Sequence, residues 1–253
     1  MIGIFDSGAG GLSVFREIRK ILPEERFVYY ADNAWCPYGE KSAEFVRERA
    51  RSITRLLIEK GARIVVVACN TATAAAISTL REEFAPMRFI GMEPAVKPAA
   101  LGTRSGVIGV LATAGTLAGS KYLMNKEKFE DGVTILDHVG QGWVELVENG
   151  ILDGPEAEER VRRSIMPLLE QGADTLVLGC THYPFLIPVI QRIAGPDVRI
   201  IDPAPAVARQ LVRVMEEEGL RQKDGASVSG SPAGIELLSS GPSEPLQRIY
   251  ALI

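Results

Sequence analysis

Two stretches of this chain nearly repeat each other: Ile64 to Ala74 reads IVVVACNTATA, and Thr175 to Phe185 reads TLVLGCTHYPF. Each is an apolar run of strand character that ends in a cysteine followed by polar residues of helix-start type. Each also follows a Gly-Ala pair, Gly61-Ala62 in one case and Gly172-Ala173 in the other. Cys69 and Cys180 stand 111 positions apart (180 − 69), as do Gly61 and Gly172, Glu59 and Glu170, and Arg88 of RFIGMEPAV and Arg199 of RIIDPAPAV. Units of one parallel sheet resemble each other through shared periodicity, but a single offset met at four points favours duplication. A weaker echo, out of step by a few residues, pairs IGIFDSGAGGL (Ile2 to Leu12) with IGVLATAGTL (Ile108 to Leu117).

Short apolar runs recur through both copies: IGIF, RFVYYA, ARIVVVA, RFIGM, GVIGVLA, GVTILDHV, DTLVLG and VRIID. Amphipathic segments such as Ser42 to Lys60 and Pro155 to Gln171 separate them. Uniformly apolar strands alternating with helices are the pattern of βαβ units in a parallel sheet covered on both faces, so the expected class is α/β. In DGPEAEERV, Asp153 is the expected N-cap, with Pro155 in the first turn and glutamates against the positive end of the dipole. The chain returns after Val207 with a helix (AVARQLVRVMEEEG), a strand-like ASVSG at 226–230 and a last helix. The expected domains are therefore 1–97 plus 208–253, carrying Cys69, and 98–207, carrying Cys180.

With 253 residues and a formal net charge of −4, the chain has no basic stripe to hold a phosphate backbone, which excludes nucleic acid as the main partner. The start MIGIFDSG lacks the basic and apolar regions of a secretory signal, and the uncharged run Ile64 to Leu80 carries too many polar residues for a bilayer span. A cytoplasmic protein with no membrane association is expected. Three cysteines, without a CxxC or paired histidines, fit neither a disulfide framework nor a zinc site. No metal and no cofactor are expected, since no lysine lies in an evident pyridoxal phosphate motif.

Ligands of open parallel sheets sit beyond the carboxyl ends of the strands, where Cys69 and Cys180 fall. A thiol there meets free N–H groups and the positive end of a helix, which is expected to lower its pKa from about 8.5 toward neutrality. One such cysteine reads equally as a small buried hydrophobe. Two at equivalent repeat positions read as a pair. If the halves face each other about a pseudo-two-fold axis, one thiol meets each side of a small molecule. Inversion of a stereocentre needs that arrangement: one group removes a proton and the other delivers one to the opposite face. A disulfide between the two is the alternative use.

The words FDSGAGGL, PYGEKS, ACNTATA and GCTHYP, with the region around Glu148, closely resemble the glutamate racemases, cofactor-independent enzymes that make D-glutamate for bacterial peptidoglycan. The resemblance runs from the first strand through most of the chain. It implies two flavodoxin-like α/β domains, an active site in the cleft between them, and a homodimer. It also implies that Cys69 and Cys180 are the proton donors and acceptors, Cys69 facing the α-proton of the D isomer and Cys180 that of the L isomer. Asp6 and Ser7, at the end of the first strand, take the substrate ammonium and a carboxylate, although Asp6 also reads as a cap for the helix beginning near Gly11. Pro37, Tyr38 and Gly39 are implied at the distal end of the amino acid. Asn70, Thr71 and Thr181 grip the α-carboxylate from helix N-termini, with Thr113 and Thr116 as second-half equivalents.

His182 reads as imidazolium or hydrogen-bond partner of the Cys180 thiol, or as a capping or packing residue. The resemblance implies Glu148 as helper on that side, with Glu145 the other choice and an exposed helix-end glutamate the competing account, whereas His138 reads as structural and Cys36 has no assigned catalytic role. Gly8, Gly10 and Gly11 do not match a dinucleotide loop and read as a tight turn that brings backbone close to a small anion. Since Asp6 falls so early, no N-terminal extension that would bind an activating precursor is expected, and activity should not require an activator. Aspartate or hydantoin racemisation, and a non-catalytic anion-binding or redox-sensing role, are the competing functions.

Overall fold

The computed structural model describes residues 1–221 and 234–253. Its first sheet contains β1 (Ile2–Asp6), β2 (Phe27–Ala31), β3 (Ile64–Val67) and β4 (Arg88–Ile90), side by side in the order β4-β3-β1-β2 and all parallel. A second sheet contains β5 (Val107–Ala112), β6 (Thr134–Val139), β7 (Thr175–Gly179) and β8 (Arg199–Ile201), in the order β8-β7-β5-β6 and again all parallel. One arrangement therefore occurs twice, and it is the doubly wound order of flavodoxin-like folds. Strand register repeats with it: Ile64 pairs with Arg88 as Thr175 pairs with Arg199, and Ile2 with Ile64 as Ile108 with Thr175.

All eight apolar runs are strands. A ninth, β9 (Ile235–Ser239), lies parallel to β2 and extends the first sheet. It was not among the expected strands. ASVSG, at 226–230, lies outside the described residues, and IELLS gives a weak signal because this edge strand is only half-buried, with Glu236 exposed.

Alternation along the strands explains the layering. Ile2, Ile4, Ile64 and Val66 of the first sheet and Leu111, Leu176 and Leu178 of the second belong to one continuous apolar cluster, so the two halves share a core. The opposite residues of the same strands, Phe5, Val65 and Val67 in the first sheet and Ile108, Val110 and Val177 in the second, pack into separate outer clusters. The Gly-Ala pairs end equivalent helices. Gly61 and Gly172 both hold positive φ (91° and 90°), which glycine adopts without a Cβ penalty. Their N–H groups donate to Ile58 and Leu169, and those of Ala62 and Ala173 to Leu57 and Leu168.

One helix start differs from expectation. Pro155 is the first residue of the helix Pro155–Glu170, but Gly154 precedes it at φ 90° and no side chain caps it. The Asp153 carboxylate instead accepts from its neighbour Gly154 and pairs with Arg192. Among the described residues, no helix is long and apolar enough to cross a membrane.

Candidate active site

In each sheet the crossover direction reverses between the first and third strands, and the crevice beyond their carboxyl ends is where such folds bind ligands. From the first sheet, β1 delivers Asp6 and Ser7 and β3 delivers Cys69 and Asn70. In the second, β5 leads to Thr113 and β7 to Cys180, Thr181 and His182. These residues meet. One small cavity is lined by Ser7, Cys69, Asn70, Thr71, Thr113, Cys180, Thr181 and His182, with Pro37, Tyr38, Gly39 and Val144 completing its wall. Pro37, Gly39, Thr113 and Val144 also border a wider opening that holds Glu145, His138 and Arg160. A groove beside β4 presents no thiol, hydroxyl or histidine among its described lining residues.

Both thiols on the cavity are free and buried. Cys69 caps the helix Asn70–Glu83, its sulfur accepting from the Ala72 N–H at 3.4 Å. The helix end does not lower this thiol as expected. Burial pushes the Cys69 thiol well above its ordinary value and the Asp6 charge adds to that, while the Ala72 N–H offsets only part. Cys180 sits differently, ahead of a short 3₁₀ turn (Tyr183–Leu186) rather than an α-helix, so Thr181 is not at an α-helical N-terminus either. What Cys180 has instead is His182, whose Nδ1 is 3.7 Å from its sulfur.

The other ring nitrogen of His182 lies 2.7 Å from Glu148 Oε1. Burial opposes charge on the imidazole, but its bonds with Cys180, Cys36 and Glu148 outweigh this and hold its pKa well above the usual value. Glu148 moves in the complementary direction: burial would raise it, yet His182 and the Ala9 N–H bring it below the ordinary carboxylate value. Of the two glutamates considered, Glu148 reaches His182 and Glu145 borders the outer opening.

The glycine loop after β1 lets this pair come close. A Cβ on Gly8 would stand 2.2 Å from Glu148 Oε1, and one on Gly10 would stand 2.3 Å from His182 Nδ1. Ala9 N–H donates to the Glu148 carboxylate at 2.7 Å. The anion that this loop's backbone meets is thus the protein's own glutamate. Tyr29 fixes the loop by donating to the Gly8 carbonyl at 2.9 Å, and Ser13 donates to the Thr181 carbonyl at 2.8 Å, tying the two halves together.

Asp6 is fully buried and stands behind the cavity's lining residues rather than among them. Its carboxylate accepts from the Gly11 N–H at 2.8 Å, as a cap would, and it also lies against Cys69 and Thr181. Burial raises its pKa, while His182 and the Gly11 N–H pull it down. Thr71, Thr113 and Thr116 form a triangle of hydroxyls with sides of 2.8, 3.0 and 3.4 Å. Asn70 is the exception to this pairing: both polar atoms of its amide are buried and find no hydrogen-bond partner among the described residues. A buried orphan amide on a cavity wall is open to a partner from within the cavity, water or ligand.

Sequence and structure comparisons agree with this geometry. Residues 2–211 match the model of the family described as Asp/Glu/Hydantoin racemase. The chain belongs to that family. It is 49% identical over 253 residues to a glutamate racemase of Methylococcus capsulatus, covering all of this chain and 91% of that protein. Among solved structures, Escherichia coli glutamate racemase in complex with L-glutamate and activator UDP-MurNAc-ala superposes with a TM-score of 0.86 at 33% identity, covering 99% of this chain and 94% of that one. Glutamate racemase from Francisella tularensis in complex with D-glutamate gives a TM-score of 0.83 at 26% identity, over 99% and 92% of the two chains. The two like α/β sheets are thus the fold of known glutamate racemases.

In this family member, a ring of support around the cavity was not visible in the sequence. Tyr38 lines the wall, but its hydroxyl is spent on Asp32, which is fully buried and held by Arg49 through two bonds of 2.9 and 2.7 Å. What the PYG loop offers the cavity is therefore its backbone and the tyrosine ring. Asp32 and Arg49 lie in unremarkable surroundings, and only the fold shows that they pin this loop. Val144 and Cys36 were likewise missed as neighbours of the site. His138, read as structural, is half-buried on β6 and borders the outer opening.

Proposed function

We propose that this chain is a cofactor-independent glutamate racemase that interconverts L- and D-glutamate by proton transfer between Cys69 and Cys180. The observation that carries the reading is the convergence of two free thiols, one from each copy of the repeat, on one small cavity. For L-glutamate, the Cys180 thiolate removes the α-proton and the Cys69 thiol delivers one to the opposite face; for D-glutamate the roles reverse. The environments suit this division: Cys69 is favoured as thiol by burial, and His182 stands beside Cys180 to stabilise a thiolate. Asp6 serves the Cys69 side and His182 with Glu148 the Cys180 side.

In this reading Asn70 and the threonine triangle hold the α-carboxylate, where donors also stabilise charge that develops as the α-carbon loses its proton. Ser7 and Thr181 complete that grip, and the backbone at Pro37, Tyr38 and Gly39 meets the side-chain carboxylate. The product serves peptidoglycan synthesis in the cytoplasm, and the enzyme acts as a homodimer whose subunits have the domains 1–97 plus 208–253 and 98–207.

The test is optical. Purified protein incubated with L- or D-glutamate brings the circular dichroism of either isomer to the same null value, while aspartate changes far more slowly. An unchanged signal with both glutamate isomers refutes the reading. Asn70→Ala gives a finer check. Losing a hydrogen bond to a charged group is worth about 1.5–3 kcal/mol, so kcat/KM falls roughly 10- to 150-fold. Because the amide finds no protein partner among the described residues, the variant's thermal midpoint stays at or above the parent's. Lost stability with unchanged kinetics would show that Asn70 is structural.

A further inference from the structure

Cys36 takes no part in the proton chemistry above, yet it stands beside the residues that do. Its Sγ, Glu148 Oε1 and His182 Nε2 all lie within 4.8 Å of one another. The sulfur is 3.9 Å from the carboxylate oxygen, and that oxygen is 2.7 Å from the ring nitrogen. Around a tetrahedral zinc ion, with bonds of about 2.3 Å to sulfur and about 2.0–2.1 Å to nitrogen and oxygen, neighbouring ligand atoms stand roughly 3.3–3.7 Å apart. The thiol is already near that spacing from the carboxylate, and the imidazole and carboxylate must part by roughly half an ångström. Positions 36, 148 and 182 carry no metal-site spacing in the sequence; three separate loops and helix ends bring them together.

The geometry points to an inhibitory metal site: Cys36, Glu148 and His182 bind a divalent cation of zinc type, and the bound ion blocks the Cys180 half of the active site. Thiolate and imidazole ligands select such an ion over Mg2+ or Ca2+, and three protein ligands leave a fourth position for water. His182 is buried, but Cys36 is half-buried and its neighbour Pro37 borders the outer opening, so the ion would enter past Cys36. On binding, Cys36 gives up its proton and His182 gives up the one on Nε2, both to solvent, Nδ1 keeps its hydrogen, and the ion takes the place of the hydrogen bond between His182 and Glu148; no electrons move. The remaining nitrogen, Nδ1, is the one that faces Cys180. Metal on Nε2 breaks the bond to Glu148 that holds the ring and moves the ring toward the ion, so Nδ1 loses its place against the Cys180 sulfur. The ion is an inhibitor and no cofactor, because the proton transfers run without it.

Binding rests on the geometry alone, whereas inhibition rests on the proposed racemase reading, so two measurements separate them. Titration of the chelator-treated protein with Co2+ should give a thiolate-to-metal charge-transfer absorption that saturates at one ion per chain. The band should vanish in Cys36→Ser and persist in folded Cys180→Ala and Cys69→Ala. In parallel, Zn2+ should stop glutamate racemisation reversibly, and Cys36→Ser should need a concentration higher by about a hundred-fold or more. A band that survives Cys36→Ser, one lost in folded Cys180→Ala, or no band at all overturns the site. A Cys36-dependent band with equal zinc sensitivity of parent and Cys36→Ser overturns the inhibition. A chain that binds Co2+ through Cys36 but never racemises glutamate refutes the functional reading and leaves the metal site standing.

Discussion

Cys69→Ala and Cys180→Ala each lower racemisation of glutamate by about a hundred- to ten-thousand-fold, the usual worth of a positioned acid or base, and they leave opposite halves of the exchange reaction alive. With Cys69 gone, Cys180 still lifts the α-proton of L-glutamate, but nothing waits on the far face to complete the inversion. In deuterated water the thiol returns a deuteron to the face it came from, so L-glutamate gains deuterium while D-glutamate does not. Cys180→Ala shows the mirror pattern. Each variant should fold, because a buried Cys→Ala change removes one sulfur next to an existing cavity. Proton NMR of the α-position reads exchange and chiral chromatography reads inversion. Racemisation at the parent rate in either variant, or both variants exchanging the same isomer, ends the two-thiol account.

Those two residues were legible because duplication printed them twice. The strands were legible for a related reason: a parallel strand covered on both faces is an apolar run, and eight such runs are eight strands. β9 was not, since half-buried edge residues such as those of IELLS carry little pattern. Within the site, residues attached to strand ends could be placed from the sequence, as Asp6, Asn70 and Thr113 show. Asp32 and Arg49, and the contact of Cys36 with Glu148, depend on how loops fold back over the cleft, and no spacing reports that. The chemical state of Cys69 was misjudged for a physical reason. A helix terminus acts on a thiol through a few N–H groups, and complete burial beside the Asp6 carboxylate outweighs them.

Gly10→Ala has the second large effect, and it acts without touching a functional group. Gly10 does not hold a left-handed φ, so its backbone accepts alanine. The added Cβ, however, would lie 2.3 Å from His182 Nδ1 and 2.6 Å from two ring carbons. A flexible side chain would yield cheaply, but this ring is 1% exposed and held at both ends, by Glu148 at 2.7 Å and by Cys180 at 3.7 Å. The ring or the loop must therefore move by the better part of an ångström, a misplacement that costs about a hundred-fold in rate. The overpacking also removes about 1–3 kcal/mol of stability. Because the ring serves Cys180, α-proton exchange of L-glutamate falls further than that of D-glutamate, a bias that general destabilisation would not produce. Gly132→Ala is the control, its Cβ meeting nothing within 4 Å, and it should leave both exchange rates as they are. Equal loss on the two isomers would mean that the glycine loop supports the whole cleft rather than His182, and an undiminished rate would mean that His182 does not need the position in which it is held.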